Sequence, residues 1–102
     1  MKKTINKKVG YWYSKHEPHY PMPISNGAWH GKEEFIAAMV ELESQLTPIA
    51  YRGLSMCRIC NQANGNCEYE FKGFSWPSGY MHYIKDHNVK PDGDFKRMVE
   101  QQ

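Results

Sequence analysis

A chain of 102 residues with 13 Lys and Arg against 11 Asp and Glu, 40% apolar and 14% aromatic, carries a formal net charge of +2. That supports one packed core, and a domain of this size buries only about two thirds of its unfolded surface, so a staple would add needed stability. The charge is too balanced for a dedicated duplex-DNA binder, which shows a pI above about 9 and a basic stripe, and no apolar run approaches the roughly 20 residues that span a bilayer.

In chain order, residues 1–8 read as a flexible basic arm, with Lys2, Lys3, Lys7 and Lys8 supplying much of the net charge. Because Met1 to Ile5 is followed by Asn6, Lys7 and Lys8 and not by an apolar stretch, no secretion signal is expected and the location is expected to be cytosolic. In that compartment three cysteines serve as thiolate ligands or plain thiols more readily than as a disulfide framework.

Val9 to Trp29 alternates aromatic and polar residues at Tyr11 and Tyr13 and then carries Pro18, Pro21 and Pro23, which predicts a short strand and a stiff extended loop. From Lys32 to Leu46, apolar residues at Phe35, Ile36, Met39, Val40, Leu42 and Leu46 follow one helical stripe. Glu33 and Glu34 suit its first turn and Pro48 marks its end, while Glu33, Glu34, Glu41 and Glu43 give it an acidic solvated face.

Beyond Tyr51 lies the chemistry. Cys57-Arg58-Ile59-Cys60 precedes Asn64-Gly65, a turn signal, and Cys67 to Phe71 alternates into a Lys72-Gly73 turn and the return strand Phe74-Ser75-Trp76. Pro77 breaks that strand, Ser78 is a candidate cap, and Gly79 to His87 reads as a short helix ending at Asn88. A tail helix follows from Asp94, with Asp92 or Asp94 as its cap.

Cys-x2-Cys, a hairpin, then His-x4-His is the ligand order of a structural zinc site, with Cys57, Cys60, His82 and His87 as the four ligands. Two sulfurs come from one tight turn and two imidazoles from a helix across the gap. On an ideal helix positions 82 and 87 lie about 140° apart, so the last turn must tighten, widen or end before His87. The plainer alternative makes the cysteines small buried hydrophobes and the histidines surface residues. A redox pair is disfavoured, because Asn61 to Asn66 reads as turn where a reactive Cys-x2-Cys needs a helix N-terminus.

Cys67 is an alternative ligand or an inward-facing strand residue, and the strand periodicity favours the second. His16-Glu17-Pro18-His19 fits no helix and reads as a solvated loop. The many aromatic rings read as core, with a base-stacking or ligand platform as the alternative.

The stretch Cys57-x2-Cys60, Asn64-Gly65, Trp76-Pro77-x-Gly79-x2-His82-Tyr83-x3-His87, Val89 and Pro91 resembles a pattern in small, functionally uncharacterised bacterial and phage proteins of zinc-finger type. It covers roughly the last half of the chain and implies ligand order without an activity. Asp86-His87, Pro91 and Gly93 are also similar to the Asp-His-x2-Pro core of nucleases of the His-Asn-His family. Those enzymes continue to an Asn and a second Cys-x2-Cys, which this sequence lacks after Gly93, and His87 cannot readily be both structural ligand and catalytic base.

The expectation is therefore one α+β domain over 1–102: the arm, an N-terminal strand, loop and amphipathic helix over 9–50, a zinc-binding module over 51–91 and a tail helix over 92–102. With four protein ligands the zinc is structural and no enzyme is expected. The expected role is interaction with a protein partner, ahead of nucleic acid and without a membrane. Arg52, Arg58, Lys72, Lys85 and Lys90 are the residues that would meet phosphate.

Overall fold

Alternation along Cys67 to Trp76 pairs two strands around a turn whose two central residues both adopt left-handed backbone, Lys72 at φ 47° and Gly73 at φ 85°. Such a two-residue turn matches the right-handed twist of the strands it joins. In the computed structural model, which describes residues 7–14, 17–25 and 27–102, with the backbone alone at 51–53, this hairpin joins β3 (Ala63–Phe71) to β4 (Phe74–Pro77). Tyr69 faces Trp76 and Phe71 faces Phe74 across the pair.

Two more strands complete a mixed four-stranded sheet of order β1-β4-β3-β2. β2 (Ile49–Met56) runs antiparallel to β3 with its register shifted between Ala50 and Met56, and it has no counterpart among the predicted strands. Its sequence breaks alternation at Arg52-Gly53, the signature of an irregular strand and not of a clean half-buried one. β1 (Lys7–Lys8) lies parallel to β4, so this end of the predicted basic arm is a sheet edge, and the rest of the arm, residues 1–6, lies outside the described residues. The strand expected at Tyr11 to Tyr13 is irregular chain.

β3 begins at Ala63, so Asn64-Gly65 belongs to a strand and not to a turn. Gly65, at φ 153°, passes so close to the Ser78-Gly79 bend that a Cβ would stand 2.2 Å from Ser78 Oγ. A Cβ on Gly79 would in turn meet the Asn64 side chain at 2.7 Å. The spacing of Asn64-Gly65 and Trp76-Pro77-x-Gly79 thus encodes a close crossing between β3 and the entry to the next helix. Ser78 does not cap that helix: its Oγ is buried without a partner and the N-cap is Gly79.

Three helices cover the sheet: α1 (Lys32–Ser44), α2 (Tyr80–His87) and α3 (Gly93–Glu100). Asp92 caps α3 by accepting the backbone N–H of Asp94 and Phe95, both at 3.1 Å. Far from being a tail, α3 supplies the centre of the core. The Phe95 ring packs at 4.9 Å from Trp76, 5.4 Å from Tyr80, 5.7 Å from Phe74 and 6.2 Å from Phe35. Phe35, Met39 and Leu42 of α1 and Ile84 of α2 close the same cluster.

On α1 the predicted stripe is mostly correct, though Val40 is exposed. Glu43 is the correction on the polar side: it turns inward and its Oε2 accepts the Trp76 indole N–H at 2.8 Å. The architecture is α+β, as its sequence predicts.

Candidate metal centre

The Cys57-x2-Cys60 turn sits at the tip of the β2–β3 hairpin. Cys57 N–H donates to Gln62 O at 2.8 Å and Asn61 N–H to Cys57 O at 2.9 Å, with Asn61 left-handed at φ 60°. This ties the loop into a knuckle in which the N–H groups of Ile59 and Cys60 point at Cys57 Sγ, at 3.4 and 3.5 Å. Burial raises the Cys57 thiol pKa, but those backbone donors, together with the Cys60 and Tyr83 side chains, outweigh it and hold the thiol below its ordinary value.

Across the gap, α2 presents His82 and His87. Its last turn widens: the N–H groups of Asn88 and Val89 both reach back to Tyr83 O, the second at 3.1 Å, and Asn88 is left-handed at φ 53°. A wider turn brings residue i+5 back toward the azimuth of residue i, which resolves the angular conflict between the two histidines. Lys32 of α1 secures this end of α2 by donating its Nζ to Lys85 O at 3.0 Å and to Asn88 Oδ1.

The result is a group of four, Cys57, Cys60, His82 and His87, whose ligand-type atoms all lie within 4.8 Å of one another, close enough to hold a metal ion. Cys60 Sγ is 3.4 Å from His82 Nε2, and His87 Nε2 is 3.2 Å from the same nitrogen. A tetrahedral ion with bonds near 2.3 Å to sulfur and 2.0 to 2.1 Å to nitrogen requires S···N edges of about 3.6 Å and N···N edges of about 3.3 Å. Hydrogen bonding accounts for the arrangement less well. His82 Nδ1 bonds Asp86 Oδ2 at 2.9 Å, which fixes the tautomer and leaves Nε2 a single lone pair for two neighbours. One shared ion satisfies both contacts, and a carboxylate behind a ligating imidazole is the usual orienting partner.

Cys67 stands apart on β3, opposite Ala50 and partly buried, outside the group of four. His16 lies outside the described residues, and His19 Nε2 is 3.5 Å from Glu17. Sequence reasoning missed two supports. Asp86 was legible as the i+4 neighbour of His82 on one helix face. Tyr83 was not: its buried hydroxyl accepts the Arg58 N–H at 2.7 Å and its ring packs with Cys57, joining α2 to the knuckle, and no local pattern announces that. Cys57, Tyr83 and Val89 form a small second core on which Trp12 packs.

Arg58, a candidate phosphate contact, donates its Nε to Tyr13 O at 2.6 Å and an Nη to Met56 O, strapping the knuckle to the N-terminal segment. The side chain of Arg52 is not described. No helix among the described residues is long and apolar enough to cross a membrane. No protein-family model, curated protein or solved structure matches the chain.

Proposed function

We propose that the four-residue group binds one structural zinc ion and that the protein is a non-catalytic interaction module addressed to a protein partner. The observation that carries the metal reading is the shared position of His82 Nε2, within 3.4 Å of Cys60 Sγ and 3.2 Å of His87 Nε2 with its Nδ1 committed to Asp86. Two thiolates and two imidazoles suit zinc, whereas an oxygen-seeking cation would call for carboxylates. Four protein donors fill a tetrahedral shell, leaving no position for an activated water, which favours a structural over a catalytic ion.

Because the ligands converge only in the folded chain, zinc binding and folding are linked. At free zinc 1,000 times its Kd the ion adds about 4 kcal/mol, which for a chain near 100 residues is on the order of 20 °C in Tm. Elemental analysis of purified protein is expected to find one zinc per chain, lost in Cys60→Ala, with a chelator lowering Tm by that order. A metal-free protein melting at the same temperature with and without chelator overturns the reading. Plasmid nicking that His87→Ala abolishes while zinc is retained would establish an enzyme instead.

A further inference from the structure

Beside the knuckle, and distinct from the metal centre, lies a cavity of about 380 Å³. Ring-bearing residues Tyr11, Trp12, Tyr20 and Tyr83 line it, together with the cations Lys8 and Arg58. Tyr11 and Tyr20 are already stacked on each other, with centroids 5.8 Å apart and planes 25° apart. Lys8 Nζ stands 5.6 Å from the Tyr11 ring.

The wall carries two cations and one carboxylate, Glu17. Neither Lys8 nor Arg58 forms an ion pair among the described residues. The Arg58 guanidinium is held by the neutral carbonyls of Tyr13 and Met56, which fix its position without cancelling its charge. Glu17 contacts His19 and Glu68 accepts the Tyr11 hydroxyl, so neither carboxylate is bonded to Lys8 or Arg58.

A second cavity of about 350 Å³ continues along the same segment, sharing Lys8, Tyr11, Trp12 and Tyr20 and adding Lys90 and the ion pair of Lys7 with Asp92 to its lining. Aromatic faces alone would suit any flat apolar ring, and Lys8 and Arg58 alone any anion. Their combination in one recess of ligand size selects a molecule that is both planar and anionic.

We propose that this cavity binds a nucleotide, its base against the Tyr11, Tyr20 and Trp12 rings and its phosphate on Lys8 and Arg58. The source is either a free mononucleotide or a nucleotide unit of a single strand running on into the second cavity.

Calorimetric titration of the zinc-loaded full chain with AMP, adenosine, inorganic phosphate and an oligodeoxythymidylate long enough for both cavities separates these cases. AMP is expected to bind about tenfold or more tighter than adenosine or phosphate, and to weaken as salt rises. Lys8→Gln, at an exposed position, and Tyr20→Ala, at a half-buried one, both checked for unchanged zinc content and Tm, are each expected to lower AMP affinity about fivefold or more. Equal affinity for AMP and the oligonucleotide assigns the site to free nucleotides; tighter oligonucleotide binding with a steeper salt dependence assigns it to single strands. Phosphate binding as tightly as AMP, AMP affinity unchanged in both variants, or no binding by either nucleotide probe overturns the proposal.

Discussion

Glu43 occupies a position where the periodicity of α1 places a solvated acid, yet it accepts the Trp76 indole N–H at 2.8 Å beneath the sheet. Burial raises its pKa, and the Trp76 hydrogen bond only partly opposes that shift. Tyr69, stacked on Trp76 at 5.8 Å, has its phenol raised as well, first by burial and then by the Glu43 charge. A carboxyl with a folded pKa above its unfolded one contributes most to stability below the unfolded value, and that contribution is lost as pH rises through the folded value. Glu43→Gln keeps an acceptor for the indole and abolishes the titration, so its Tm is expected to exceed that of the unmodified chain at pH 7 and to approach it toward pH 4. Glu43→Ala strands the indole N–H and is expected to cost about 1 to 3 kcal/mol in urea denaturation. Equal Tm values for Glu43→Gln and the parent across that pH range would show that the buried charge carries no penalty. The inward turn of Glu43 could not be read in advance, because the helix pattern reports only where a side chain starts. Cys57, Cys60, His82 and His87 were legible for the opposite reason: few residue types bind metal, and their spacing alone limits what they can do.

At the scale of elements, legibility followed how local the cause is. The β3–β4 hairpin and the left-handed Asn88 could be read because their turn residues act on their own backbone. β2 could not, since its irregular register takes its pairing from β3, and the role of α3 could not, since eight amphipathic residues look alike at a free end and under a sheet. The Lys72-Gly73 turn offers a clean measurement. A Cβ at Gly73 meets nothing within 4 Å, so Gly73→Ala probes backbone conformation alone. With φ at 85° the substitution is expected to cost about 1 to 2 kcal/mol. Lys72→Asn, which suits φ 47° better, is expected to recover a fraction of that in the parent background. Urea midpoints at constant slope check both, and an unchanged midpoint in Gly73→Ala would mean that the turn can relax to another form.

Considered whole, the molecule has two cores of unequal size joined by α2 and by Trp12, which packs on both. Tyr80 and Ile84 of α2 belong to the large cluster around Phe95, while Tyr83 belongs to the small one with Cys57 and Val89. The four candidate ligands all adjoin the small cluster, whose three buried side chains cannot hold a knuckle shut by apolar burial alone. The large cluster rests on Phe35, Trp76 and Phe95, none of which is a candidate ligand. Removing the ion is therefore expected to act unevenly, with α2 passing only part of the loss onward. The amides of Cys57, Asn61 and Val89, bonded to Gln62 O, Cys57 O and Tyr83 O, should lose most of their hydrogen-exchange protection in chelator. Those of Phe35 and Lys96, bonded to Gly31 O and Asp92 O in the helices of the large core, should lose less. Protection that falls equally at all five amides would make the chain a single cooperative unit held by the metal, and protection unchanged at the knuckle would mean that no ion clamps it.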